Sequence, residues 1–340
     1  METEIKVKKA FDQRLQTEVM LRDVKTIFKS KLSQMLNLHE VSAPLFVKSN
    51  TGINDDLNGI EKSVIFTAKS IEFESLEIVQ SLAKWKRLKL SEWKVPENQG
   101  IVVEMKALRP SEDISPIHSI YVDQWDWEKH IKSENRNLEY LKFTVANIYK
   151  SIYETQKEIC SKYSELDFFL PSEITFIHSE ELQALYPQLN SKQREFEISK
   201  QFGAVFIIGI GHKLADGKEH DLRAPDYDDW SSFTKSGFRG LNGDIIVWNP
   251  AINSSFEISS MGVRVDKKAL IYQLEYTKTS KRKDLFFHSK LLSGQLSSSI
   301  GGGIGQSRLA MLILQKKHIG EVQASLWSKE VENQYSIDLL

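Results

Sequence analysis

The chain contains almost no cysteine, because Cys160 is the only one among 340 residues. A single thiol excludes an internal disulfide and any zinc or iron–sulfur site built from several cysteines. Cys160 falls within a predicted helix, where we expect it to pack without reacting. Long apolar runs are also missing, and a membrane helix needs roughly 18 such residues. Together with the charged opening METEIKVKKAFDQRL, this predicts a cytoplasmic protein without a signal peptide.

An excess of either charge is missing too. Lys and Arg number 45 against 46 Asp and Glu, which leaves a net charge of -1 and no broad basic field for nucleic acid. The chain is 41% hydrophobic, enough to bury a substantial core at this length. It has no repeat period, low-complexity tract or Gly/Ser linker, so we predict one domain over residues 1–340.

The apolar pattern alternates between helical and extended periods. Helical spacing runs through residues 4–37 and again from Leu138 to Ile159, and a shorter helix is predicted at LAKWKRLKLSEW. Pro44 lies in an extended run after the first helix, so that strand is predicted to be an edge or to be interrupted there. The predicted strands are SVIFTA, LEIVQS, IVVEMKAL, SIYVDQW, ITFIHS, AVFIIGIG and the hairpin DIIVWNP–SSFEISSMGVRV. The predicted fold class is α+β, a largely antiparallel sheet flanked by helices.

A glycine-rich segment, GGGIGQSR, covers residues 301–308 and precedes an apolar helical pattern. A turn of this kind at a helix N-terminus lets an anion or a flat base approach free N–H groups, although a merely flexible turn is equally consistent. Arg308 would lie one turn into that helix, suitably placed for a phosphate. The Lys-Ser/Thr ending of a P-loop and the third glycine of a dinucleotide fingerprint are both missing.

Further polar residues are candidates for a site. Arg109 ends a predicted strand and could clamp a phosphate, but taken alone it reads as a surface residue. Asp244 and Glu257 lie in or beside the hairpin and could hold Mg²⁺ against phosphates. The segment 226–229 is rich in acid, and we expect at least one of its three aspartates to be solvated. Gln124 and Asp126 would share one strand face, as in a lined pocket or on a solvent face.

Two other classes of site have little support. The histidines show no close pair at metal-binding spacing, and His118 and His178 are interpreted as structural. The chain also lacks the Gly-Xaa-Ser-Xaa-Gly nucleophile elbow, which argues against covalent hydrolase chemistry.

Eight strings in order resemble the ammonia-dependent asparagine synthetases of the A type, from about residue 15 onward. They are DDLNGIEK, SLAKWKR, MKALRP, SIYVDQWDWE, RAPDYDDW, LNGD, SSMGVRVD and GGGIGQSR. Residues 1–12 look like an extension relative to that family. The family is similar to class II aminoacyl-tRNA synthetase cores, which implies an antiparallel sheet with flanking helices and a homodimer formed around Pro44.

The resemblance also implies site residues. The aspartate-binding set would be Lys86, Gln124, Asp126, Asp228, Ser260 and Arg264. The ATP-binding set would be Arg109, Glu112, Ser119, Asp244, Glu257, Gly303, Gly305 and Arg308, with Mg²⁺ on Asp244 and Glu257. Asp55 would collect ammonium and take its proton.

The implied reaction joins L-aspartate and ammonia through a β-aspartyl-adenylate made from ATP, with release of AMP and pyrophosphate. Because the chain begins MetGluThr, without the cysteine of an N-terminal glutaminase, free ammonia is the expected nitrogen donor. Two alternatives stay open. An aspartyl- or asparaginyl-tRNA synthetase would share the adenylate but needs an anticodon-binding barrel, and a non-catalytic paralogue would bind an amino acid or adenylate as a sensor.

Overall fold

The computed structural model describes residues 2–55, 57, 61–235 and 237–335. The helices in that part are α1 (Glu2–Leu36), α2 (Ala83–Glu92), α3 (Leu138–Lys162), α4 (Ser179–Leu185), α5 (Ser191–Phe202), α6 (Lys267–Tyr276), α7 (Phe286–Leu292), α8 (Gln306–Ile313) and α9 (Lys329–Tyr335). Short 3₁₀ helices cover Ser133–Asn135, Ser280–Asp284 and Ile319–Glu321.

The strands are β1 (Leu38–Glu40), β2 (Phe46–Lys48), β3 (Ile65–Ala68), β4 (Ile71–Ile78), β5 (Gly100–Leu108), β6 (Tyr121–His130), β7 (Thr175–His178), β8 (Ala204–Ile208), β9 (Asn242–Asn249), β10 (Ser254–Val263) and β11 (Ser299–Gly305). Eight of them form one sheet in the order β1-β5-β6-β11-β10-β9-β8-β7. The two outer pairs, β1–β5 and β7–β8, are parallel, and the pairs between them are antiparallel. The predicted α+β class with a largely antiparallel sheet is confirmed.

One face of the large sheet is apolar and carries the main core. Strand side chains alternate between faces, so Trp125 and Trp127 of β6 are fully buried against helices while Gln124 and Asp126 face the other side. Helix α1 covers the apolar face with Val24, Phe28 and Leu32 at intervals of four. Burying each such side chain contributes about 1.5–3 kcal/mol.

Helix α3 also covers this core. The apolar stripe predicted along it is confirmed, with Leu141, Val145, Ile148 and Ile152 fully buried. The helix begins where the Asn137 side chain accepts a hydrogen bond from the N–H of Tyr140. The long predicted stripe therefore belongs to a capped helix packed on the sheet core.

The structure corrects two details of the predicted sheet. The runs SVIFTA and LEIVQS do not join the large sheet, since β3 and β4 form a separate three-stranded sheet with β2 in the order β2-β4-β3. Pro44 lies between β1 and β2, outside both strands, which confirms an interrupted strand. No helix in the described ranges is long and apolar enough to cross a membrane.

The segment 301–305 is a strand, which contradicts the predicted turn at a helix N-terminus. Residues Ser299–Gly305 form β11, which pairs with β6 on one side and β10 on the other. Glycine carries no side chain that could show strand alternation, so the residue pattern does not predict a central strand here. The predicted helix does follow, because α8 begins at Gln306.

Candidate active site

A cavity of about 370 Å³ lies on the polar face of the large sheet. Its floor is formed by β6, β11 and β10, and its walls come from the segments around residues 109–123 and 221–228. The predicted site residues that line it are Arg109, Glu112, Ser119, Gln124, Asp126, Asp228, Glu257, Ser260, Arg264, Gly303, Gly305 and Arg308. Lys86, Asp244 and Asp55 do not line it.

Small residues on β11 create the space for this cavity. A Cβ atom on Gly303 would collide with Oε1 of Gln124, and one on Gly301 would collide with the Glu128 carboxylate. A Cβ on Gly302 would meet Met261 on the apolar face. The glycines are therefore needed for close approach of side chains from the neighbouring strands, and not for turning the chain.

Lys86 lies beneath the cavity floor and holds the floor residue Asp126 in place. Its ammonium is fully buried, is paired with Asp126 and donates to the backbone oxygen of Trp127 at 2.8 Å. Burial lowers the pKa of Lys86, although the Asp126 charge opposes this. The pair orients the Asp126 carboxylate, whose Oδ2 also accepts from the N–H of Leu82 at 3.2 Å.

Arg264 connects two carboxylates at one end of the cavity. Its Nη2 donates to Oε2 of Glu128 at 2.7 Å, and its Nη1 is paired with Asp228. All three side chains are buried, and burial raises the pKa of Asp228 in spite of Arg264 and Arg223. A fork of guanidinium donors held in this way is a fixed recognition element for a carboxylate ligand that joins the network.

A second cluster joins Asp244, Glu257 and Ser260. The Ser260 hydroxyl lies 2.7 Å from Oδ1 of Asp244 and 3.3 Å from Oε1 of Glu257. Burial, and after it the Glu257 charge, raises the pKa of Asp244 to about 6 although Arg223 opposes the rise. The Arg308 and Lys192 charges outweigh burial and lower the pKa of Glu257. Two neighbouring carboxylates of this kind suit a cation with oxygen ligands.

Arg109 and Arg308 line the cavity from different elements of the fold. Arg109 directly follows β5, and its Nη2 lies 3.4 Å from the backbone oxygen of Gln80. Arg308 is the third residue of α8, and its Nη1 donates to the backbone oxygen of Glu257 at 3.0 Å. Both guanidinium groups line the cavity, so the surface interpretation of Arg109 is wrong.

Asp55 lies outside the cavity lining but near it. Its side chain is buried, and its Oδ1 is 3.8 Å from Nζ of Lys84 and accepts from the N–H of Leu57 at 3.2 Å. Leu57 and Glu61 line the cavity on this side. The segment that carries Asp55 therefore borders the site.

The acidic segment 226–229 is not solvated. Asp226, Asp228 and Asp229 are all buried, at 0%, 1% and 0% exposure, which contradicts the expectation of at least one solvated aspartate. Each has a cationic partner distant in sequence, as in the pair of Asp229 with Arg136 at 2.7 Å. Such partners make burial of a carboxylate possible, and local composition does not reveal them.

The sequence interpretation missed several residues at the site. Arg223 is the most important, since it is paired with Asp244 and its Nη1 lies 3.1 Å from the Ser260 hydroxyl. It opens the string RAPDYDDW, so the signal was present but received no role. Glu128 and Lys84 were missed in the same way, and His118, which the sequence analysis interpreted as structural, lines the cavity. His178 is structural, as predicted, since it caps α4.

No group of three or more His, Cys, Asp or Glu side chains in the described ranges is arranged as metal ligands. A cation between Asp244 and Glu257 would therefore need further oxygen ligands from a bound phosphate.

Comparison with known sequences identifies the relatives of this chain. A family model described as aspartate-ammonia ligase matches residues 15–338. An aspartate–ammonia ligase of Parabacteroides distasonis is 49% identical over 319 residues, which is 94% of this chain and 92% of that protein. One of Clostridium perfringens is 52% identical over 316 residues, or 93% of this chain and 91% of that protein.

Comparison with solved structures identifies the same fold in other enzymes. Asparaginyl-tRNA synthetase of Pyrococcus horikoshii, solved with asparaginyl-adenylate, matches with a TM-score of 0.67 and 14% identity over 92% of this chain and 70% of that one. The enzyme of Entamoeba histolytica, also with asparaginyl-adenylate, gives a TM-score of 0.63 and 14% identity over 92% of this chain. This chain spans 66% of that synthetase. At such identity the likeness shows the class II synthetase-like fold alone.

Proposed function

This chain belongs to the aspartate–ammonia ligase family and makes asparagine from aspartate and ammonia, and on that premise we propose that it activates aspartate with ATP. The side-chain carboxylate attacks the α-phosphorus, the bond to pyrophosphate breaks, and a β-aspartyl-adenylate forms. Ammonia then attacks the acyl carbon and AMP leaves. Activation is required because direct attack on a carboxylate would have to expel an oxide.

The observation that carries this proposal is that one cavity is lined by two arginines and also by a mixed set of polar side chains. Arg109 and Arg308 offer two guanidinium groups to the cavity, while Gln124, Asp126 and Arg264 offer a mixed set of donors and acceptors on the floor. Guanidinium groups match phosphate oxygens, and a mixed polar set matches an amino acid with both charges. One cavity thus suits both an amino acid and a nucleoside triphosphate.

Arg109 and Arg308 would act mainly by stabilising negative charge on the phosphates. Negative charge gathers on the phosphoryl oxygens during the transfer, and fixed cations in the cavity stabilise it. In-line attack otherwise needs correct placement of the reacting atoms, which the buried Lys86–Asp126 and Arg264–Glu128 pairs support by fixing the floor. Glu112, Ser119, Gly303 and Gly305 line the same cavity and are proposed ATP contacts.

Asp244 and Glu257 are the residues that would hold Mg²⁺, and the oxygen-rich cluster with Ser260 fits such an ion. When bound, Mg²⁺ would neutralise phosphate charge. In this structure Arg223 supplies a positive charge to the cluster, being paired with Asp244.

We propose that Asp55 receives the second substrate. A buried carboxylate beside the cavity can attract ammonium and accept its proton, which leaves neutral ammonia to attack the adenylate. This role is consistent with the place of Asp55 next to Leu57 and Glu61, which line the cavity.

The assembly and location are also proposals. A homodimer formed around Pro44 is supported by the exposed apolar side chains of Leu45 and Phe46, at 53% and 44%. Sedimentation of the protein would test it, and a concentration-independent monomer would contradict it. We place the enzyme in the cytoplasm, as one domain, and leave residues 1–12 without a role.

Product analysis tests the proposed reaction. Purified protein is incubated with aspartate, Mg·ATP and ammonium chloride after ribonuclease treatment, and asparagine, AMP and pyrophosphate are counted. We expect equal yields of the three products. Pyrophosphate release without asparagine would indicate an adenylating relative that uses another acceptor, and ADP in place of AMP would refute the adenylate.

A further inference from the structure

Arg223 lies between the two charged clusters of the cavity. Its Nη2 is paired with Oδ1 of Asp244, and its Nη1 lies 3.1 Å from the Ser260 hydroxyl. Its Nε lies 3.9 Å from Oδ2 of Asp228, which is itself paired with Arg264. One guanidinium group therefore borders both the residues proposed to hold Mg²⁺ and the proposed aspartate pocket.

The contact with Asp244 places Arg223 on an oxygen that a metal would use. The Ser260 hydroxyl lies 2.7 Å from the same Oδ1 atom and 3.3 Å from Oε1 of Glu257. Each oxygen of a carboxylate has about two lone-pair sites, so Arg223 and Ser260 together fill those of Oδ1. A metal that binds this oxygen has to displace one of them, and the guanidinium also repels it by charge.

This arrangement leaves one donor of Arg223 without a partner. Its Nε is buried and makes no hydrogen bond within the described part of the chain. The 3.9 Å to Asp228 is too long for a hydrogen bond, and a buried donor without a partner costs free energy. A position of the guanidinium closer to Asp228 would therefore gain a contact that the present position lacks.

The backbone that carries Arg223 is held in place. The indole Nε1 of Trp230 donates to the backbone oxygen of Ala224 at 3.1 Å, and Nε2 of Gln273 donates to that of Pro225 at 2.9 Å. Both donors are buried. A change of partner by Arg223 therefore takes place by rotation of its side chain, between two carboxylates that its guanidinium already borders.

From this geometry we infer that Arg223 is the built-in counter-ion of Asp244 and releases it to the metal that arrives with ATP. The inference rests on the proposed function for the identity of that metal. Without nucleotide, the guanidinium neutralises Asp244 and keeps divalent cations away. With nucleotide, phosphate oxygens supply the further ligands, and Arg223 turns towards Asp228. Binding of the metal is thereby coupled to binding of ATP.

The inference predicts a gain of metal affinity when Arg223 is removed. The variant would keep the oxygens of Asp244, Glu257 and Ser260 but would lose the cation that competes for them. Two carboxylates bind a divalent cation more tightly when a neighbouring positive charge is taken away. A merely structural role predicts the opposite sign, because loss of a structural arginine would loosen the cluster and weaken metal binding.

The test is binding of Mn²⁺ to the full chain without nucleotide, with free Mn²⁺ counted by electron paramagnetic resonance. We expect Arg223→Gln to lower the apparent Kd for Mn²⁺ by about tenfold or more. Arg223→Met is a second neutral variant that keeps the apolar stem, and it should show the same gain. Arg223→Lys keeps the charge and should stay within about threefold of the unmodified protein.

Lys192→Gln is the matched control, because it removes the same charge nearby. Although burial opposes it, the Arg308 and Lys192 charges lower the pKa of Glu257, so Lys192 acts on the cluster from a distance. Its ion pairs are with carboxylates other than Asp244. We expect a clearly smaller gain in Mn²⁺ affinity than in Arg223→Gln.

Three results would overturn the inference. They are unchanged or weaker Mn²⁺ binding in a folded neutral variant of Arg223, an equal gain in Lys192→Gln, and a gain that persists when Asp244→Asn is added to Arg223→Gln. The measurement contains neither aspartate nor ATP. Failure of the unmodified protein to form asparagine would therefore refute the proposed function, whereas the exchange of partners on Asp244 is decided by Mn²⁺ binding.

Discussion

Gln124 occupies the space that the missing side chain of Gly303 leaves open on the neighbouring strand. A methyl group at Gly303 would collide with Oε1 of Gln124 and displace it from the cavity floor. We expect Gly303→Ala to lower kcat/KM for aspartate by about 10²-fold, the scale of a misplacement near 1 Å. Initial rates at varied aspartate would measure it. An equal loss of apparent affinity for aspartate, ATP and ammonium would indicate general loosening and contradict a specific effect.

Arg308 should be irreplaceable by lysine. A lysine keeps the charge but loses the planar fork that can reach two phosphate oxygens together. We expect Arg308→Lys to lower kcat by about 10²-fold, with folding unchanged. Aspartate-dependent pyrophosphate exchange would measure the loss directly. Arg239→Lys serves as a control, since Arg239 lies outside the main cavity, and a comparable loss there would count against a special role for Arg308.

Asp55→Asn should separate the two half-reactions. The amide cannot attract ammonium by charge or take its proton, so the KM for ammonium should rise about tenfold or more. Adenylate formation should continue, as shown by pyrophosphate exchange. Full asparagine formation with unchanged ammonium dependence would remove Asp55 from the mechanism.

His118 should make stability depend on pH. Burial, and after it the Arg308 charge, lowers the pKa of His118 to about 4 from about 6.5 in the unfolded chain. The unfolded state therefore binds the proton more tightly, and stability is lost as pH falls from about 6.5 towards 4. We expect His118→Gln to remove on the order of 1–3 kcal/mol of that loss.

Denaturant unfolding of both proteins at pH 7 and pH 4.5 measures this effect. Between pH 7 and pH 4.5 the free energy of unfolding should fall further in the unmodified protein than in His118→Gln. A difference that stays constant with pH would show that His118 titrates alike in both states.

Cys160 should be dispensable. It lies on α3, away from the cavity, and burial raises the pKa of its thiol, which disfavours the nucleophilic thiolate. We expect Cys160→Ser to leave asparagine formation within about twofold of the original rate, because a half-buried thiol and hydroxyl differ little in size. A large loss in a folded variant would mean that the nitrogen transfer uses the thiol.

Periodicity predicted most of the fold. The spacing in α3 and the alternation of Gln124 and Asp126 with Trp125 and Trp127 predicted a helix and a two-faced strand, and both are present. These patterns work because a side chain's direction follows from its own element. Side-chain periodicity did not predict strand β11, because Gly301, Gly302 and Gly303 have no side chains that could alternate.

The sequence predicted which residues form the site better than it predicted the contacts between them. Resemblance supplied Arg109 and Arg308, and both guanidinium groups line one cavity. It could not supply the burial of Asp226, because Lys84 is 142 residues away in the chain and composition around Asp226 indicates only a dense acidic segment. Ion pairs between distant residues are set by the fold, so local sequence underestimates them.

The central place of β11 has a consequence for the order in which the enzyme can be assembled during synthesis. Strands β5 and β6 are synthesised early, and β9 and β10 are synthesised much later. In the large sheet, β11 at residues 299–305 lies between β6 and β10 and so joins the two halves. A nascent chain that has emerged only as far as β10 holds both wall segments and the floor strands β6 and β10, but lacks the strand that joins them. Contacts between distant segments of this kind form late and slowly. Catalytic competence therefore requires the chain to be synthesised past β11 and past Arg308 on α8, which follows it.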